Sequence, residues 1–157
     1  MDDSSGSSAP RKKQQADATL AADPVTQPAL TAWQQGDKST AISSFLAIDW
    51  SARPLFASGS TLSLSEDQFK ALSDADRQAK SSEMLRQISS LKQLAAAVAQ
   101  AGRDAASKGD AAQARKSFTS LKQCGMALDS PDNLLIVQLV GQAFKKMADT
   151  ELAKVAQ

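Results

Sequence analysis

The 157-residue sequence contains no histidine, no tyrosine and a single cysteine. The missing imidazole excludes histidine-based acid–base catalysis, histidine metal ligation and a histidine-driven pH switch. Cys124 cannot form an internal disulfide. Its setting, Leu121-Lys122-Gln123-Cys124-Gly125-Met126, places it on a helix. There a buried, inert thiol is expected, because reactivity requires a specific electropositive environment. No phosphate-cradling glycine loop occurs, since Gly36, Gly102 and Gly109 lie in or at predicted helices. The carboxylates at Glu66-Asp67, Asp74, Asp76 and Asp132 are scattered, in positions that helix N-termini account for. A nucleophilic serine without histidine needs a lysine base, and Ser81, Ser82 and Ser89 near Lys80 and Lys92 read as solvated helix surface. The expectation is a protein that is not an enzyme and has no cofactor or metal.

Charge of one sign is also missing: 18 basic and 17 acidic residues leave +1. No global field recruits nucleic acid or an anionic membrane, and no basic stripe accompanies Trp33 or Trp50 for base stacking. Nucleic acid is therefore not an expected partner. The opening residues, Met1 to Pro10, carry no apolar run of a secretory signal. The longest apolar run, Leu134 to Val140, falls well short of the roughly 20 residues of a membrane span. A soluble, cytoplasmic protein is the default expectation.

What is abundant is alanine, glutamine, lysine, serine and leucine, which favours helix over sheet. Residues 1–23 are polar, with a basic cluster at Arg11-Lys12-Lys13, and read as a flexible tail ahead of one helical domain over 24–157. Asp23-Pro24 and Gln27-Pro28 bracket the entry to a first helix, Gly36-Asp37 ends it, and a second follows with Ala41, Ile42, Phe45 and Ile48 on its buried side, giving a hairpin over 28–49. Residues 50–65 form a loop carrying Trp50, Leu55, Phe56, Leu62 and Leu64. It is either a cover packed over the core or a partner-binding site whose contacts would be Trp50, Leu55, Phe56 and Leu62.

Ser65-Glu66-Asp67-Gln68 spells a capping box for a short helix over 66–73. Ser73 and Asp74 open a long one over 74–108, either continuous or broken near Ser81-Ser82. Along it Met84, Ile88, Leu91, Ala95, Val98, Gly102 and Ala105 recur at alternating steps of four and three, a seam that tapers from large to small. The taper requires a partner helix to approach closely near the turn at Gly109-Asp110. The helix over 111–128 repeats the device with Ala114, Phe118, Leu121, Gly125 and Leu128. Gly125 costs about 1 kcal/mol relative to alanine in a helix interior, which close contact with a neighbour would offset. The last helix, over 131–155, is apolar on more than one face from Leu134 to Val140, so it should be the most buried helix or expose a stripe.

Residues 35–45 echo residues 108–118: Gly-Asp, alanine four residues after the aspartate, then Ser-Phe. Ala29 and Ala32 align with Gly102 and Ala105, and Gly141, Phe144, Asp149 and Ala153 fall in the same register with Ala148 at the turn position. The last copy is therefore expected to remain one continuous helix. The pattern resembles the tetratricopeptide repeat, carried by Gly102, Ala105, Gly109, Asp110, Ala114, Phe118 and Leu121 and more weakly by Ala29, Ala32, Gly36, Asp37, Ala41, Phe45 and Ile48. It departs from that family in lacking the early tryptophan and in displacing or losing the closing proline. The resemblance implies an all-α fold of antiparallel helical hairpins, packed as a small bundle or a repeat-like solenoid, whose concave face holds a peptide or partner protein. A protein-binding adaptor or scaffold subunit is the resulting expectation. The alternative is a self-associating structural bundle, a homo-oligomer built on the seam from Met84 to Ala105 and the apolar run from Leu134 to Val140.

Overall fold

The computed structural model describes residues 23–156, so the expected polar tail lies, except for Asp23, outside the described residues, as does Gln157. Among the described residues six α-helices pack together and no strand occurs. They are α1 (Gln27–Gln34), α2 (Lys38–Leu46), α3 (Glu66–Lys70), α4 (Asp74–Ser107), α5 (Ala111–Leu128) and α6 (Leu135–Val155), with one 3₁₀ turn among the described residues, at Thr61–Ser63. The fold is all-α. Helix α4, about 50 Å long at 1.5 Å per residue, is the shared support. Helices α1 and α2, the 3₁₀ turn, α5 and α6 all touch it, while α5 and α6 form the most extensive contact in the molecule.

The two Gly-Asp turns are made alike. Gly36 and Gly109 adopt φ +80° and +81°, the left-handed region where a side chain is strained. The Asp37 amide donates to the Ala32 carbonyl, and the Asp110 amide to that of Ala105. Each aspartate then caps the following helix, Asp37 accepting from the Thr40 amide and Asp110 from the Gln113 amide. The echo in sequence is thus an echo in backbone geometry.

The small residues of the seam sit where backbones meet. A Cβ on Gly102 would lie 2.7 Å from the Phe118 ring, so the glycine is the socket for that phenylalanine. Gly125 and Gly141 face each other across α5 and α6, and a Cβ on either would fall 2.6 Å from the other's carbonyl oxygen. Ala95, Val98, Ala114, Leu121 and Leu128 are wholly buried around these crossings. Leu94 and Ala99, outside the seam, are buried as well, because α4 packs on α5 with one side and on α1 and α2 with another.

Of the two courses open for it, α4 takes the unbroken one through Ser81-Ser82: Ser82 turns its hydroxyl onto the Gln78 carbonyl of the same helix, and the ladder continues. Three boundaries need correction. Helix α2 stops at Leu46 and not near residue 49, since Asp49 accepts from the Ser51 amide and hydroxyl and starts the loop. Helix α3 ends at Lys70, where Arg77 of α4 donates to the Lys70 and Leu72 carbonyls and fixes the bend. Helix α6 begins at Leu135 and not at Pro131, because Asn133 is used to close α5, its side-chain amide donating to the Leu128 carbonyl at 2.8 Å. Leu134 offers no side-chain cap, and the Leu135 amide instead donates to the Glu66 carboxylate of α3 at 2.8 Å.

Other expectations hold. The capping box at Ser65 and Gln68 makes both of its bonds, and Ser73 caps α4 through the Asp76 amide. Helix α6 stays continuous past Ala148. It is not the most buried helix: Leu135 and Leu139 are 57% and 54% exposed, so the exposed stripe is the outcome.

Candidate functional site

The loop over 50–65 is held down by its own apolar residues. Trp50, Leu55, Phe56 and Leu62 are 5%, 7%, 6% and 3% exposed and join the core, with the Trp50 ring tilted against Phe45 at 5.1 Å between centroids. Polar bonds fasten the segment at both ends. The Val25 amide donates to the Pro54 carbonyl and the Thr26 hydroxyl to that of Leu55, while the Ser60 hydroxyl donates to Gln87 of α4 at 3.0 Å. The four residues expected as partner contacts therefore anchor the loop within this chain. They do not form one exposed patch.

What the anchored loop builds is a groove of about 410 Å³ between α1 and α4. One wall is Gln27, Leu30 and Gln34, which share a face of α1 at spacings of three and four. The other is Glu83, Arg86, Gln87 and Ser90, which share a face of α4 by the same rule. Phe56 and Leu62 of the loop lie between them. Trp50 lies elsewhere, in a separate and more open depression with Ile48, Gln123, Met126 and Ala127, and Leu55 lines neither. Eight of its twelve lining residues are polar and only Leu30, Phe56, Ala57 and Leu62 are apolar, so the groove between α1 and α4 offers hydrogen-bonding groups around a small apolar floor, a more polar lining than that of an ordinary small-molecule pocket.

The electrostatics of the groove are nearly self-contained. Gln87 donates to Glu83 at 3.1 Å, and Glu83 faces Lys80 at 3.8 Å. Arg86 makes neither an ion pair nor a hydrogen bond to the described residues, and it is exposed. With Lys80 and Glu83 in opposition, the local balance is one positive charge. Neither the seam pattern nor the resemblance pointed to Gln27, Gln34, Arg86 or Gln87. The available signal was that these polar residues recur at helical spacing beside the seam, as any solvated face does.

Elsewhere the titratable groups serve structure. Glu151 of α6 is nearly buried and paired with Arg103 of α4 at 2.7 Å. That hydrogen bond holds its carboxyl below the ordinary glutamate value. Lys145 binds Asp129 at 2.6 Å and, with Gln142, lowers that carboxyl in the same way. Burial alone pushes the Cys124 thiol far up, which makes it inert. Among the described residues no cluster of three or more cysteine and carboxylate side chains is placed to hold a metal ion. None of the described helices is long and apolar enough to cross a membrane.

Comparison with family models, with curated protein sequences and with solved structures finds no match.

Proposed function

We propose that the chain is a non-enzymatic protein-binding module, tetratricopeptide-like, working as an adaptor or scaffold subunit. The observation that carries this reading is the groove between α1 and α4, lined by one face of each helix and floored by Phe56 and Leu62. The equivalent turns at Gly36 and Gly109 support the comparison with the repeat, while the α4 wall of the groove, Glu83 to Ser90, lies N-terminal to Gly102 and Ala105, the part of α4 in the repeat register. The distance from Gln27 to Gln34 along α1 is about 10 Å, the span of three or four extended residues. Gln27 donates to Thr31 and Gln87 to Glu83, which leaves Gln34 as the wall glutamine without an internal side-chain bond among the described residues; its amide can both donate to and accept from the backbone of an extended segment.

The test is peptide selection on the full chain: a displayed random nonapeptide library is panned, and bound peptides are measured by fluorescence polarisation against Leu30→Glu and Gln34→Arg. Peptides that bind the native chain and are released by both substitutions support the module. Selection that yields nothing, or peptides indifferent to both, refutes it.

The exposed Leu135 and Leu139 of α6 favour a second reading, a self-associating bundle. Sedimentation of the full chain separates the two: a concentration-dependent dimer abolished by Leu139→Glu supports self-association, and a monomer at all concentrations removes it.

A further inference from the structure

We propose that the groove between α1 and α4 selects an extended segment in which an acidic side chain lies within two positions of an apolar one. This rests on the groove being the protein-binding surface. The apolar requirement comes from Leu30 on the α1 wall and from Phe56 and Leu62 on the floor, which present carbon to a space of about 410 Å³. The acidic requirement comes from Arg86. Glu83 is occupied by Lys80 and Gln87, and Gln87 by the Ser60 hydroxyl, so these groups satisfy one another before any ligand arrives. Arg86 is the groove's charge left without a counterpart among the described residues. A planar guanidinium at the rim of an apolar floor pairs with a carboxylate in a fixed fork geometry.

Spacing follows from chain geometry. Neighbouring side chains of an extended segment point to opposite sides and alternate ones to the same side. An apolar residue seated on the floor therefore places a carboxylate at the wall from an adjacent position or from two positions away. A basic segment meets an uncompensated like charge there, so the same arginine acts against such partners.

The experiment compares the selected nonapeptides on the full chain and on Arg86→Glu, at low and high salt. Arg86 is exposed and free of internal bonds to the described residues, so its reversal leaves the fold intact, which circular dichroism verifies. The expected result has three parts: a consensus with Asp or Glu within two positions of an apolar residue, affinity reduced about fivefold or more by Arg86→Glu, and recovery when the peptide's acid is changed to lysine. Affinity should also fall with salt on the native chain. Peptides that are released by Leu30→Glu but carry no acid, or do not respond to Arg86→Glu, overturn this inference and leave the module standing. Peptides indifferent to Leu30→Glu overturn both. Deletion of residues 1–22 is the last arm: tighter binding of the same peptides to the shortened chain would identify that segment as the groove's occupant and would also overturn the assignment.

Discussion

Alanine at Gly125 tests whether the α5–α6 crossing depends on backbone contact. The added Cβ would lie 2.6 Å from the Gly141 carbonyl oxygen and 2.8 Å from the Lys145 amide nitrogen, both backbone atoms that cannot rotate away. Ordinary contact begins near 3.4 Å, so the helices must separate by roughly 0.8 Å along their closest approach. Alanine gains about 1 kcal/mol of helix propensity over glycine. Against this, overpacking of a tight core costs typically about 1–3 kcal/mol, and the separation also loosens Leu128, Val137 and Phe144 around the crossing. The net expectation is a loss of about 1–2 kcal/mol, or a fall of about 3–8 °C in melting temperature for a fold of this size. Gly59→Ala is the control, since nothing lies within 4 Å of its Cβ and its φ is not positive. Thermal and urea unfolding by circular dichroism give both numbers. A double substitution at Gly125 and Gly141 should cost less than the sum of the two singles, because the first already parts the helices. A Gly125→Ala variant at least as stable as the native chain would refute the crossing as described.

Other outcomes follow from single residues. Gly109→Ala, at φ +81°, should lose about 1–2 kcal/mol in urea unfolding even though its Cβ meets nothing within 4 Å; an unchanged midpoint would contradict the strain argument. Arg103 holds the folded-state Glu151 carboxyl below its unfolded value, near 4.5. Its contribution is thus complete above about pH 4.5 and is lost as pH falls through the lowered folded value. Glu151→Gln should accordingly flatten stability against pH in that acidic window, and an identical slope in the variant would exclude the pair as its source. Cys124 should resist a thiol reagent in the native chain and react at a rate that tracks unfolding by urea; rapid native labelling would show that α5 opens locally.

Much of this architecture was legible because hairpin closure leaves marks in sequence. A glycine at positive φ followed by a capping aspartate is nearly obligatory at a tight turn, and Gly36-Asp37 and Gly109-Asp110 display it openly. Gly102 and Phe118 were legible as a small-on-large pair, and Gly125 as a residue awaiting a neighbour. That Gly141 is this neighbour depends on the crossing of two helices, which no local pattern encodes. The start of α6 was misplaced because Pro131 and Ser130 satisfy the local rules for a helix opening, whereas Asn133 is taken up by the end of α5. The groove was less legible still. Its walls are polar residues of ordinary helix surface, and only packing α1 and α4 on either side of a loop turns Gln34 and Arg86 toward a common space.

The carboxylate of Glu66 on the first amide of α6 joins positions 69 residues apart in the chain. The C-terminal helix thereby borrows its opening from a short helix that precedes the 34-residue α4 in the chain. A fragment beginning at Ser73 would keep α4, α5 and α6 and still lack that carboxylate, so its last helix should fray at Leu135. Adding back a peptide that spans Val25 to Leu72 should restore order there, much as a missing keystone seats an arch built from the other side.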